Sequence, residues 1–138
     1  MECFSEMRLL LDTHILLWSL LEPKYLNPQV AAALEDKNNE LWLSPIVIWE
    51  VLILAERGRV VLRPNAVIWV QQVLQKIPFQ EAPLTHDVVI QSRLIDLPHQ
   101  DPVDCFLAAT AVVYDLLLVT ADKDLLNSPS VPTISVKE

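Results

Sequence analysis

The sequence predicts an α/β fold, a mostly parallel sheet with helices on both faces, and two observations carry that expectation. Short, nearly continuous apolar runs of strand length alternate with segments of helical length. That is the order expected when strands are buried on both faces and joined by helical crossovers. Three of the helical segments open on a good N-cap residue followed by proline, at Asn27-Pro28, Ser44-Pro45 and Asp101-Pro102. A proline at the first helical position loses nothing by lacking an N–H.

In chain order, RLLL at 8–11 reads as the first strand, with a helix following at roughly 13–22. Asn27-Pro28 opens a helix over 28–37, and ELWL at 40–43 is the second strand. Ser44-Pro45 starts a helix over 45–57, and 64–75 forms another before the third strand, IPFQ, at 77–80. Helices over 85–95 and 102–114 precede the last strands, LLLV at 116–119 and TISV at 133–136. Residues 1–6 match no element and read as a tail, leaving 7–138 as a single domain.

The 138 residues, 52% hydrophobic and 20% charged, suit one domain that buries roughly two-thirds of its unfolded surface. One glycine, Gly58, against ten prolines excludes a glycine-rich phosphate cradle, a dinucleotide fingerprint and a Walker loop. The net charge of −8 repels phosphate backbones, so a nucleic acid would have to be held locally. Cys3 and Cys105 stand far apart with no CxxC, which argues against a disulfide framework or thiolate zinc site. No run of 18 apolar residues is present, and MECFSEM lacks the order of a signal peptide. The expectation is a cytoplasmic protein with no membrane partner.

Four acids stand alone in apolar surroundings. Asp12 is the only carboxylate in LLLDTHILLWSLL, Glu50 in IVIWEVLILA and Asp104 in PVDCFLAATAVVY, while Asp122 stands just past LLLVT. Burying an isolated carboxylate costs several kcal/mol unless it is paired, protonated or bound to a cation. Asp12 and Asp122 fall at the carboxyl ends of strands, the edge where open parallel sheets place their sites. Each acid also has a plainer reading. Asp12, Asp104 and Asp122 suit helix N-termini, and Asp101 as N-cap makes Asp104 the last member of something close to a capping box. Glu50 lies too deep in its helix to cap, and its alternative is one exposed residue on an otherwise buried helix. A shared acidic site accounts for all four at once.

An all-oxygen cage suits Mg²⁺ or Mn²⁺ and disfavours zinc. His14, His86 and His99 show no HxxxH spacing; surface or core placement is the default for all three, and only His14 adjoins the expected site. Carboxylates holding Mg²⁺ activate water and stabilise the leaving oxygen when phosphodiesters are cleaved, which points to a nuclease. Two rival phosphate chemistries fail. A phosphoaspartate phosphatase needs a second Asp two positions after Asp12, where His14 stands, and a receiver domain needs a Lys where Thr120-Ala121 stand.

The segments MRLLLDTHILLW, LSPIVIWEVLILAERGRVVL, LPHQDPVDCFLAATA and LLLVTADKDL, in this order and spacing, resemble the PIN-domain family, its VapC-type toxin branch above all. The resemblance runs from about Met7 to Val136. It implies a three-layer α/β/α sandwich, a metal-dependent endoribonuclease acting on RNA, and a toxin–antitoxin pair. The family's acidic positions fall on Asp12, Glu50, Asp104 and Asp122, with Thr13, Thr120 and Asp101 in supporting places.

The chain also departs from the family. Basic residues common in such proteins are replaced by Gln100, Cys105 and Leu54. Arg57, Arg59 and Arg63 follow the Glu50 helix, where they could touch RNA phosphates or simply complement the helix C-terminus. The apolar helix around Glu50, with Trp18, Trp42, Trp49 and Trp69, suggests a homodimer interface or a groove for an antitoxin helix. The alternative to a nuclease is a catalytically weak or inactive PIN-fold binding module acting through protein contacts.

Overall fold

The computed structural model describes residues 6–99 and 101–135, so Cys3, Gln100, Val136 and most of the expected tail lie outside the described residues. The strands β1 (Arg8–Leu11), β2 (Glu40–Leu43), β3 (Gln80–Glu81), β4 (Leu117–Thr120) and β5 (Thr133–Ser135) form one sheet. Its order is β3-β2-β1-β4-β5, and every pair is parallel. Successive side chains on a strand point to opposite faces. Leu9, Leu10 and Leu11 are nonetheless all buried, as are Leu118, Val119 and Thr120. Helices therefore cover both faces, giving the expected three layers.

The helices are α1 (Thr13–Leu21), α2 (Pro28–Glu35), α3 (Pro45–Glu56), α4 (Ala66–Lys76), α5 (His86–Ser92), α6 (Pro102–Tyr114) and α7 (Lys123–Asn127). All three cap-plus-proline starts form. Asn27 Oδ1 accepts from the Val30 N–H at 2.8 Å, Ser44 Oγ from Ile46 at 3.1 Å and Asp101 Oδ1 from Val103 at 2.9 Å. The side chains of Val103, Cys105, Leu107, Ala108, Ala109 and Ala111 bury α6, which packs on α5, α3 and β4.

Several local expectations shift; the helix expected over 85–95 forms only at His86–Ser92. The third strand pairs only at Gln80–Glu81 rather than over 77–80. Pro78 has no N–H for a ladder, and the Phe79 N–H is spent on the Ile77 carbonyl at 2.8 Å. α4 begins at Ala66, two residues late, because Asn65 is its cap, accepting from Ile68 at 3.0 Å. A 3-10 turn at Pro23–Tyr25 and the five-residue α7 had no counterpart in the sequence reading, being too short to show a period.

β1 is central. The chain passes from it to β2 on one side and later enters β4 on the other. The carboxyl ends of β1 and β4 thus border the crevice where the winding direction reverses, the place open parallel sheets use for ligands.

Candidate metal centre

Asp12 is the residue after β1 and the N-cap of α1. Its Oδ1 accepts from the Thr13 N–H at 2.6 Å and its Oδ2 from the Thr120 hydroxyl at 2.7 Å. Thr120 is in reach because β1 and β4 pair in register, Leu11 beside Val119. The Thr120 Oγ1 also accepts the Asp122 N–H at 3.0 Å. Asp122 in turn caps α7, its Oδ1 accepting from Asp124 at 2.9 Å and Leu125 at 3.0 Å. One buried hydroxyl therefore joins the ends of two strands, holding the Asp12 carboxylate and the Asp122 backbone.

Glu50 arrives from the second turn of α3 and Asp104 from the first turn of α6. Both line the same cleft of about 360 Å³ as Asp12, Asp101, Asp122, His14, Trp18 and Ala121. Burial pushes the Asp12 carboxyl above its ordinary value, outweighing the hydrogen bonds from Thr120 and Thr13 and the pull of His14; the Glu50 charge adds to the rise. Burial also pushes Asp104 up to about 8, helped by the charges of Asp12, Asp101, Asp122 and Glu50. The site crowds negative charge, and among the described residues of its wall His14 alone can offset any of it, since none is a lysine or arginine.

That donor set fits a hard divalent cation. It is all oxygen, it is partly withdrawn from water, and Asp12 and Asp104 resist ionising beside the other carboxylates unless a cation joins them. Thr13 Oγ1 is fully buried and has no hydrogen-bonding partner among the described residues.

His99, given no role by its sequence, sits at the rim. Its Nδ1 accepts the Asp101 N–H at 3.2 Å. A neutral ring therefore carries its proton on Nε2, which faces Asp124 Oδ2 at 3.1 Å and Asp104 Oδ2 at 3.5 Å. His99, Asp122 and Asp124 bring possible ligand atoms within 4.8 Å of one another. With Nδ1 accepting from Asp101 and Nε2 facing Asp104 and Asp124, the ring links the first turns of α6 and α7. The available signal was its place two residues before the cap of α6.

The remaining candidates separate. Asp101 caps α6 and reaches the cleft wall. Thr13 and Thr120 are buried beneath the cleft. Arg57, Arg59 and Arg63 are exposed beyond the end of α3 and form no part of the cleft wall; Arg57 lies seven residues, roughly 10 Å of helix, past Glu50. Cys105 is buried in the core, and burial raises its thiol pKa despite the nearby Arg93. A longer basic side chain there would have to escape the core to reach the site. Leu54 is half-buried against the same core.

Comparison with known proteins agrees with this architecture. The chain is 31% identical over 119 residues to the ribonuclease VapC22 of Mycobacterium tuberculosis, covering 84% of this chain and 88% of that protein. Its fold is similar to that of VapBC2 from Rickettsia felis, solved bound to a DNA fragment from their promoter. There the TM-score is 0.71 at 15% identity, over 94% of this chain and 98% of that one. A toxin–antitoxin complex from Klebsiella pneumoniae gives 0.67 at 21% identity, over the same shares. The PIN domain model matches residues 9–129, from β1 through the Asp122-capped α7, and the chain belongs to the PIN-domain family.

Proposed function

We propose that this protein is a Mg²⁺- or Mn²⁺-dependent endoribonuclease of the cytoplasm and the toxin of a toxin–antitoxin pair. The observation that carries the reading is the gathering of Asp12, Glu50, Asp104 and Asp122 around one cleft, with no lysine or arginine among the described residues of its wall. The kinship with a ribonuclease supports the substrate class, and the likeness to toxin–antitoxin complexes supports the partner.

Asp12, Glu50, Asp104 and Asp122 would hold the ion. When bound, it polarises the phosphodiester and makes water a better nucleophile at neutral pH. The protein's own part is to hold the carboxylates in place. Thr120 fixes Asp12 and the Asp122 backbone, Asp101 fixes the first turn of α6, and the His99 Nε2–H faces Asp104. A homodimer and an antitoxin segment would cover apolar surface such as Trp49, Val67, Ile68 and Leu74, all exposed in the single chain.

The test is RNA cleavage by the full chain, freed of any antitoxin, with EDTA, Mg²⁺ or Mn²⁺. Cleavage should require metal and vanish in Asp12→Asn and Asp104→Asn. Mn²⁺ at about a hundred times its Kd should raise stability by roughly 2.7 kcal/mol. No cleavage with either metal, together with an unmoved Tm, would favour the binding-module alternative.

A further inference from the structure

We infer that His14, Trp18 and Tyr25 form a base-stacking track that leads single-stranded RNA into the acidic cleft, a reading that rests on the nuclease assignment and adds how its substrate is held. Five of the cleft's lining residues are acids, and among the described residues His14 is the only side chain lining it that can carry positive charge. An acidic wall repels phosphates except at the metal, so little of the grip on RNA can come from its backbone. The non-acidic wall is His14, Trp18 and Ala121, and the rings extend outward from it. His14 and Trp18 lie 5.9 Å apart between centroids at 54°, and Trp18 and Tyr25 lie 5.4 Å apart at 56°. Rings tilted in this way meet by edges and do not cover one another's faces.

Two elements build the row. His14 and Trp18 are four residues apart on α1 and so share one side of the helix, and the 3-10 turn at Pro23–Tyr25 folds Tyr25 back toward them. Tyr25 is 51% exposed; Lys24 Nζ lies 5.6 Å from its ring centroid and 3.6 Å from Glu22 Oε2, so the cation at the outer end of the row is shared with Glu22 and stands outside the five acids of the cleft. Stacking on such rings tolerates any base sequence but requires bases released from pairing. The track therefore selects unpaired segments over duplex.

The experiment compares two fluorescent octamers, oligoadenylate and an abasic ribose-phosphate chain of equal length. Their binding to the full chain in Ca²⁺ is read by anisotropy, with each probe checked intact on a gel. The wild type should bind oligoadenylate at least about tenfold more tightly. Tyr25→Ala, on an exposed turn, and Trp18→Ala should each weaken oligoadenylate binding about fivefold or more and leave the abasic octamer unchanged. Trp18→Phe keeps a ring at this half-buried place in the wall and should retain most of the preference. Equal affinity of the wild type for both octamers, or a preference that survives Tyr25→Ala and Trp18→Ala, overturns the track while metal-dependent cleavage leaves the nuclease standing. Failure to bind or cut any RNA overturns both.

Discussion

At the scale of single residues, the Thr120 hydroxyl is the joint of the site. It gives its proton to Asp12 and takes the Asp122 N–H, fully buried. Thr120→Val keeps the shape and leaves both partners short. Unpaired buried groups cost about 1–3 kcal/mol, and loosening a ligand's support lowers metal affinity roughly 10–100-fold. A calorimetric Mn²⁺ titration matching the wild type would remove Thr120 from the site. Asp104 supplies a pH test. Its carboxyl titrates at about 8 in the fold against 3.8 unfolded, so between those values the folded state holds the extra proton. Its contribution to stability is therefore full below pH 3.8 and lost as the pH rises through about 8. Asp12, also raised, slopes the same way. In EDTA, the Tm of the wild type should fall from pH 5 to 9, and Asp104→Asn should flatten that fall and raise stability at the alkaline end. Parallel curves for the two proteins would contradict the crowding of charge described here.

At the scale of elements, Asp122 is a cap by its hydrogen bonds and a metal ligand only by our proposal. Its Oδ1 caps α7 while the residue lines the cleft. Asparagine caps about as well as aspartate, whereas alanine loses about 1 kcal/mol. Asp122→Asn should thus keep the denaturation midpoint and lose Mn²⁺ affinity, while Asp122→Ala loses both. If Asp122→Asn binds Mn²⁺ like the wild type, capping is its whole role. The same scale explains what the sequence made readable. Asn27-Pro28, Ser44-Pro45 and Asp101-Pro102 announce helices through contacts within three residues, so nothing distant can overrule them. IPFQ misleads because Phe79 packs on the core from outside the ladder, and Pro78 has no N–H to pair.

At the scale of the molecule, an acidic chain carries a broad apolar exterior. Trp49 is 53% exposed, Val67 55% and Ile90 60%. In water such surface favours association, since roughly 25 cal/mol is gained for each Å² of apolar area removed from solvent. Sedimentation velocity at micromolar concentration should give a dimer that an added antitoxin converts to a larger complex without nuclease activity. A monodisperse monomer would leave the apolar exterior without that partner.

Sequence by itself determined the layered parallel fold and pointed to Asp12, Glu50, Asp104 and Asp122, because burying a lone carboxylate among leucines and valines is costly wherever it happens, and that cost is legible in one dimension. Tertiary structure alone decided who stands beside them. The Thr120 bridge spans 108 residues, and His99 meets Asp124 only where α6 and α7 converge. The register of β1 on β4 and the fold-back at Tyr25 bring such groups within a few ångströms, while Arg57, Arg59 and Arg63 are left outside the cleft and Cys105 is turned into the core. Distances of this kind depend on packing between elements remote in the chain, which spacing along the sequence does not encode.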